Sequence, residues 1–151
     1  MMTTLTIPAH LACLHDALMS VDAAPVECDG HTLMVSNALS KAGIHHERVV
    51  GNVSGQAGRF TLAPHLWINI DGFIVDYRLR MWVCILSGPD QAAGAPHGIF
   101  PANSGDYGYQ YTETGKSPAS NINMGILNLM TNGFAGKLQI PEKISVYYTE
   151  K

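Results

Sequence analysis

The sequence predicts an α+β fold built on an antiparallel sheet. Three observations predict it. Apolar residues recur at helical spacing over 8–20, and again over 28–42 with Gly43 as a stop. Further on, two β-rich runs flank an Asp71-Gly72 pair, a strong hairpin signal.

Pro8 suits the first turn of a helix, and Leu11, Leu14, Leu18 and Val21 follow on one face. The segment 21–27, VDAAPVE, breaks that pattern with Pro25. A second helix is expected over 28–42. Leu33, Met34, Ala38, Leu39 and Ala42 form a broad apolar stripe, with Lys41 in the last turn and Gly43 just beyond it. Gly30 falls in the first turn of this helix; inside a helix it costs about 1 kcal/mol relative to Ala. Residues 47–53 (ERVVGNV) read as a strand and 54–59 as a loop. The hairpin pairs 65–70 (HLWINI) with 73–78 (FIVDYR), and 79–86 reads as an extension of its second strand. Residues 87–120 show no period and read as an active-site loop or a surface elaboration. A last helix is expected over 119–132, ended by Asn132-Gly133. One or two strands are expected over 138–149, with Pro141 at an edge or bulge. No internal repeat or linker divides the chain, so 1–151 reads as a single domain.

Composition removes several classes of function. The chain has 151 residues, 46% of them apolar and only 14% charged. The usual charged share is about 25%, so neither a disordered chain nor a coiled coil is expected. The formal net charge is −3 and there is no basic run, which argues against a nucleic-acid surface. No apolar stretch approaches the ~20 residues of a membrane span. The opening MMTTLTIPAH lacks a basic region followed by an apolar one, so no secretory signal is read and a cytoplasmic location is expected. Three cysteines without a CxxC pair fit a reducing compartment rather than a disulfide framework. Cys13 and Cys84 are expected to be buried as small hydrophobes.

Cys28 differs because it opens a helix. A thiolate there is stabilised by the positive end of the helix dipole, and the free N–H groups of the first turn can form one arm of an oxyanion hole. His65 opens the hairpin. With Asp71-Gly72 as a two-residue loop, opposed residue numbers sum to 143, which sets Trp67 opposite Asp76 and His65 opposite Arg78. Side chains alternate along a strand, so His65, Trp67 and Asn69 share a face with Ile74, Asp76 and Arg78. Asp76 is then the diagonal neighbour of His65, with Cβ atoms ~7 Å apart. Asp71 lies ~20 Å along the strand, out of reach. A nucleophilic thiol needs a base, and the base needs a group that orients it. Cys28, His65 and Asp76 can take those roles in that order.

The segment 28–82 resembles the core of the transglutaminase-like superfamily, a branch of the papain-like cysteine enzymes. The resemblance rests on Cys28 heading a helix, Gly43-Ile44 at its end, Arg48-Val49-Val50-Gly51 on the next strand, His65-Leu66-Trp67, and Asp76 near the end of the partner strand. It covers about 55 of 151 residues. It implies a papain-like core, a Cys28-His65-Asp76 triad, no cofactor, and Trp67 packed beside the site. The pattern departs from the family in three places. The Arg sits one residue later, the hairpin is short, and no Gln stands upstream of Cys28 to act as a second oxyanion donor.

Other side chains have plainer readings. His45 and His46 are adjacent and would point to opposite faces of a strand, and Cys28-x-x-His31 lacks a second ligand pair, so no metal is expected. His31 falls one turn after Cys28 and is a candidate to line the cleft. Tyr107, Tyr109 and Tyr111 alternate as in a strand with one aromatic face, which fits strand packing or contact with a peptide. The function expected is a cysteine peptidase, amidase or deamidase acting on a peptide or protein substrate through a thioacyl-enzyme. An effector of this kind would leave the cell by a non-classical route. Two alternatives stand beside it: acyl transfer of the transglutaminase or arylamine N-acetyltransferase type, and an inactive binding module on the same scaffold.

Overall fold

The computed structural model describes residues 7–102, 108–118 and 122–149. In chain order the elements are α1 (Ala9–Met19), α2 (Cys28–Lys41), β1 (Glu47–Gly55), a 3-10 turn (Gln56–Gly58), β2 (Phe60–Ile70), β3 (Phe73–Asp76), α3 (Leu79–Ser87), α4 (Pro89–Ala92), β4 (Gly98–Pro101), β5 (Tyr109–Ser117), α5 (Met124–Met130), α6 (Phe134–Lys137) and α7 (Glu142–Thr149). The strands form one antiparallel sheet in the order β4-β3-β2-β1-β5. The protein is therefore α+β.

Among the described residues two apolar clusters pack against the sheet. Ile68, Ile70, Val75 and Tyr77 pack with Leu11, Leu14 and Leu18 of α1, with Met34, Val35 and Leu39 of α2, and with Leu127, Ala135 and Ile144 from the C-terminal helices. Val49, Val53, Trp67, Ile74, Phe100 and Tyr109 pack with Leu79 and Val83 of α3 and Ala92 of α4. Strand alternation assigns these two sets of sheet residues to opposite faces.

The hairpin forms at Asp71 and Gly72, both with positive φ (51° and 79°), as a type I′ turn requires. Its pairs are Ile70 with Phe73, Asn69 with Ile74 and Ile68 with Val75. Strand β3 ends at Asp76, so Arg78 does not sit opposite His65. Residues 79–86 are helical, not an extension of the strand. Leu79 and Val83 lie four apart and are both fully buried, and the Asp76 carboxylate accepts the backbone N–H groups of Arg78 and Leu79 at 2.9 and 3.1 Å. A side chain from the strand end thus satisfies two of the donors a helix start leaves open.

The stretch 87–120 also holds regular structure: α4, β4 and β5, the two strands forming the edges of the sheet. Residues 103–107 and 119–121, and with them Tyr107 and the start expected for the last helix, lie outside the described residues. Helix α5 begins after Asn123, whose side chain accepts from the N–H groups of Gly125 and Ile126, and Asn132-Gly133 ends it with two positive φ values. The strands expected over 138–149 are replaced by α7. Pro141 precedes it and its carbonyl accepts from Ile144 N. Ile144 and Tyr148 are four apart; Ile144 is buried, and the Tyr148 hydroxyl meets His10 Nε2 of α1 at 3.0 Å. Cys84 is exposed and Cys13 half-buried, so neither is the buried hydrophobe expected. No helix among the described residues is long and apolar enough to cross a membrane.

Candidate active site

Cys28 is the first residue of α2 and is partly exposed. The residue before it, Glu27, makes no side-chain cap, so no side chain of the cap residue takes up the first-turn N–H groups. The approach to Cys28 is held from two sides. Arg48 of β1 donates to Asp29 Oδ1 at 2.8 Å and to Thr32 Oγ1 at 3.1 Å, tying the strand to the first turn of α2. Arg78 donates to the carbonyls of Asp22, Ala24 and Val26 and to Asp22 Oδ1, at 2.7 to 3.1 Å. One guanidinium therefore anchors the segment that delivers the cysteine. Gly30 has a reason as well: a Cβ there would come within 2.9 Å of Val26 Cβ, so its absence lets that segment fold back on the helix.

His65 is fully buried, and its Nε2 donates to Asp76 Oδ2 at 2.7 Å. The diagonal placement on the hairpin brings the two together as the strand arithmetic requires. Nδ1 is buried and has no hydrogen-bond partner among the described residues, while Cys28 is near enough to contribute to the ring's raised pKa. Such contacts are often long or poorly aligned before substrate binds. Burial opposes a charge on the ring, but the Asp76 carboxylate outweighs it, Cys28 adds to it, and the His65 pKa is raised well above 6.5. Burial likewise opposes ionisation of Asp76; the His65 ring and the N–H and O–H donors around the carboxylate reverse that and lower its pKa. Both shifts favour the charged forms, imidazolium and carboxylate.

Two residues were not legible as parts of this site. Tyr111 of β5 donates its hydroxyl to Asp76 Oδ2 at 2.7 Å, and its ring stands edge-on to Trp67 at 5.0 Å. Its alternation with Tyr109 showed one strand face, but only the β1–β5 pairing brings it to Asp76. Gly51 is opposite His65 on β1. A Cβ there would meet Thr112 O at 2.1 Å and the Trp67 ring at 2.7 Å, so the indole needs glycine beneath it.

Trp67 is 2% exposed, lies 6.3 Å from the His65 ring and donates to Asn69 Oδ1. It shields one side of the ion pair. His31 does not line an open cleft. It is 2% exposed, packs beside Tyr77, and its Nε2 has no partner among the described residues. Burial, then the charge of Arg78, pushes its pKa down to about 3, so it is a neutral interior ring. Among the described residues no cluster of three His, Cys, Asp or Glu side chains could hold a metal ion. His45 and His46 do not act as a pair, since His46 is buried and engaged with Ser36 Oγ and the Ile44 carbonyl.

The arrangement puts a thiol at a helix start, an imidazole within its reach, and a buried carboxylate fixing the imidazole from behind. It can pair a thiolate with the imidazolium and offer first-turn N–H groups to an oxyanion. No protein-family model matches the chain, nor does any curated protein or solved structure.

Proposed function

We propose that this protein is a cysteine hydrolase acting on a peptide or protein amide, with Cys28, His65 and Asp76 as its triad on a papain-like, transglutaminase-like core. The observation that carries the reading is the buried His65, bonded through Nε2 to Asp76 at 2.7 Å, with Cys28 among the groups that raise its pKa. A structural cysteine gains nothing from that setting, whereas a nucleophile gains its base and an oriented ring.

Cys28 attacks the carbonyl carbon as a thiolate paired with the His65 imidazolium. The oxyanion is met by first-turn N–H groups of α2. Collapse breaks the C–N bond, and the leaving amine takes the proton from His65. Water then attacks the thioester with the now neutral His65 as base, and the acid leaves as the Cys28 thiolate and the His65 imidazolium are restored. Asp76 keeps the ring in one tautomer and balances its charge throughout. An amine in place of water would make the same site an acyltransferase.

The test is the alkylation rate of each cysteine against pH, read by mass spectrometry in wild type and His65→Ala. Cys28 is expected to react fast down to about pH 5 and to lose that in the variant, whereas a free thiol slows below its usual pKa of about 8.5. Reaction of Cys28 no faster than Cys13 or Cys84 would reject the reading in favour of an inactive binding module.

A further inference from the structure

A cavity of about 650 Å³ adjoins the approach to Cys28. That lies within the ~300–1,000 Å³ of small-molecule sites. One wall is the 22–27 segment and the other is α3 with α4; the cavity reaches Val26 and Glu27 and stops one residue short of Cys28. Consecutive Cα atoms lie ~3.8 Å apart, so the rim is one residue from the nucleophile.

Both walls are fixed. Arg78 holds the first through the Asp22, Ala24 and Val26 carbonyls. The second turns sharply at Gly88, with φ of 96°, and Pro89 then starts α4. The charged groups inside already have partners. Asp22 is shared between Arg78 and His97, each at 3.0 Å, and Arg80 places Nε and Nη2 on the Ala95 carbonyl. What remains for an occupant is apolar surface from Ala24, Pro25, Val26, Met81 and Ala93. The exposed Glu27 carboxylate at the rim opposes an acidic occupant.

We propose that this cavity receives a bulky apolar side chain, of leucine to tryptophan size, on the substrate residue that carries the scissile carbonyl. The inference rests on Cys28 being the nucleophile. The acyl residue stays bonded to Cys28 until water resolves the thioester, so a pocket beside that residue holds it through both steps.

The test compares three alkylating reagents on the full chain, with the modified peptide identified by mass. N-acetyl-phenylalanyl and N-acetyl-glycyl chloromethyl ketones report the pocket, and iodoacetamide reports the thiol alone. Burying a phenyl group is worth about 1.5–3 kcal/mol, so the phenylalanyl reagent should label Cys28 about 10- to 100-fold faster than the glycyl one. Ala93→Trp, at an exposed position on the wall, should bring that ratio close to one and leave the iodoacetamide rate unchanged. Met81→Glu is the second variant and should do the same if Ala93→Trp does not fold. A wild-type ratio near one, with fast iodoacetamide labelling at pH 6, overturns the pocket and leaves the hydrolase reading standing. So does a ratio that both variants leave intact, or preferential labelling of Cys84, which lines the same cavity. Slow iodoacetamide labelling of Cys28 removes the nucleophile and the pocket assignment with it.

Discussion

Two histidines are buried to the same degree and end in opposite states. His65 is 0% exposed and His31 is 2% exposed, yet the pKa of one is raised and that of the other pushed down to about 3. Burial disfavours the charged ring in both. The difference is the partner. His65 faces a carboxylate at 2.7 Å that accepts three further hydrogen bonds, from Tyr111 and from the N–H groups of Arg78 and Leu79. His31 faces Tyr77 and the field of Arg78, and its Nε2 has no hydrogen-bond partner among the described residues. Arg78 belongs to both neighbourhoods: its backbone helps fix Asp76, while its guanidinium opposes a charge on His31. A buried imidazole is poised for chemistry by its neighbours, not by burial.

The sharpest way to break this contrast is Asp76→Ala. It leaves His65 buried without its counter-charge and removes two hydrogen bonds from the first turn of α3. Stability is expected to fall by about 3–5 kcal/mol in urea unfolding, as when one half of a buried ion pair is lost. Cys28 labelling at pH 6 should fall to the rate of Cys13. An unchanged midpoint would mean that the pair contributes nothing net.

Gly51→Ala attacks the same site from beneath. The new methyl group must displace the Thr112 carbonyl or the Trp67 ring, and overpacking of this kind costs about 1–3 kcal/mol. Loss of Cys28 reactivity together with stability is expected. Full reactivity in a destabilised variant would separate Trp67 from the site. Tyr111→Phe is milder, removing one hydrogen bond to the carboxylate for about 1–2 kcal/mol. The Asp76 carboxyl pKa, followed by NMR titration, should move up, because the Tyr111 hydroxyl helps hold it down, and no movement would remove Tyr111 from the site.

The two rings also predict opposite pH dependences. A raised folded pKa means that the His65 contribution to stability is complete below the unfolded value of 6.5 and is lost as pH rises toward about 10. A lowered one means the reverse for His31: between 6.5 and about 3 the unfolded chain takes up a proton that the folded one refuses. Stability then falls with pH by about 1.4 kcal/mol per unit for that group. His31→Phe should flatten the acid limb, leaving the smaller share of His46, whose pKa burial also lowers. At pH 7 the same variant should change stability by less than about 1 kcal/mol, because it removes an unpartnered polar atom from the interior. A large loss at pH 7 would mean that His31 has a partner after all.

Much of the hairpin was readable. Asp71-Gly72 set the register, and the register put Asp76 diagonal to His65, because both are local consequences of one turn and strand alternation. The ends of the elements were not. Residues 79–86 are rich in β-formers yet become α3, since Asp76 ends its strand by bonding the next two N–H groups. Residues 142–149 become a helix because Ile144 and Tyr148 find α1 to pack on. In each case a contact supplied from elsewhere outweighs local propensity.

By itself the sequence determined α1 and α2, the hairpin, and a thiol, an imidazole and a carboxylate at positions compatible with meeting, because these depend on periodicity and turn chemistry within about a dozen residues. Only the tertiary structure decided that β5 returns beside β1 to place Tyr111 on Asp76, that Arg78 clamps the segment before Cys28, and that His31 stays neutral. Those follow from pairings across 35 to 56 residues and from the desolvation that packing imposes, and local pattern carries neither.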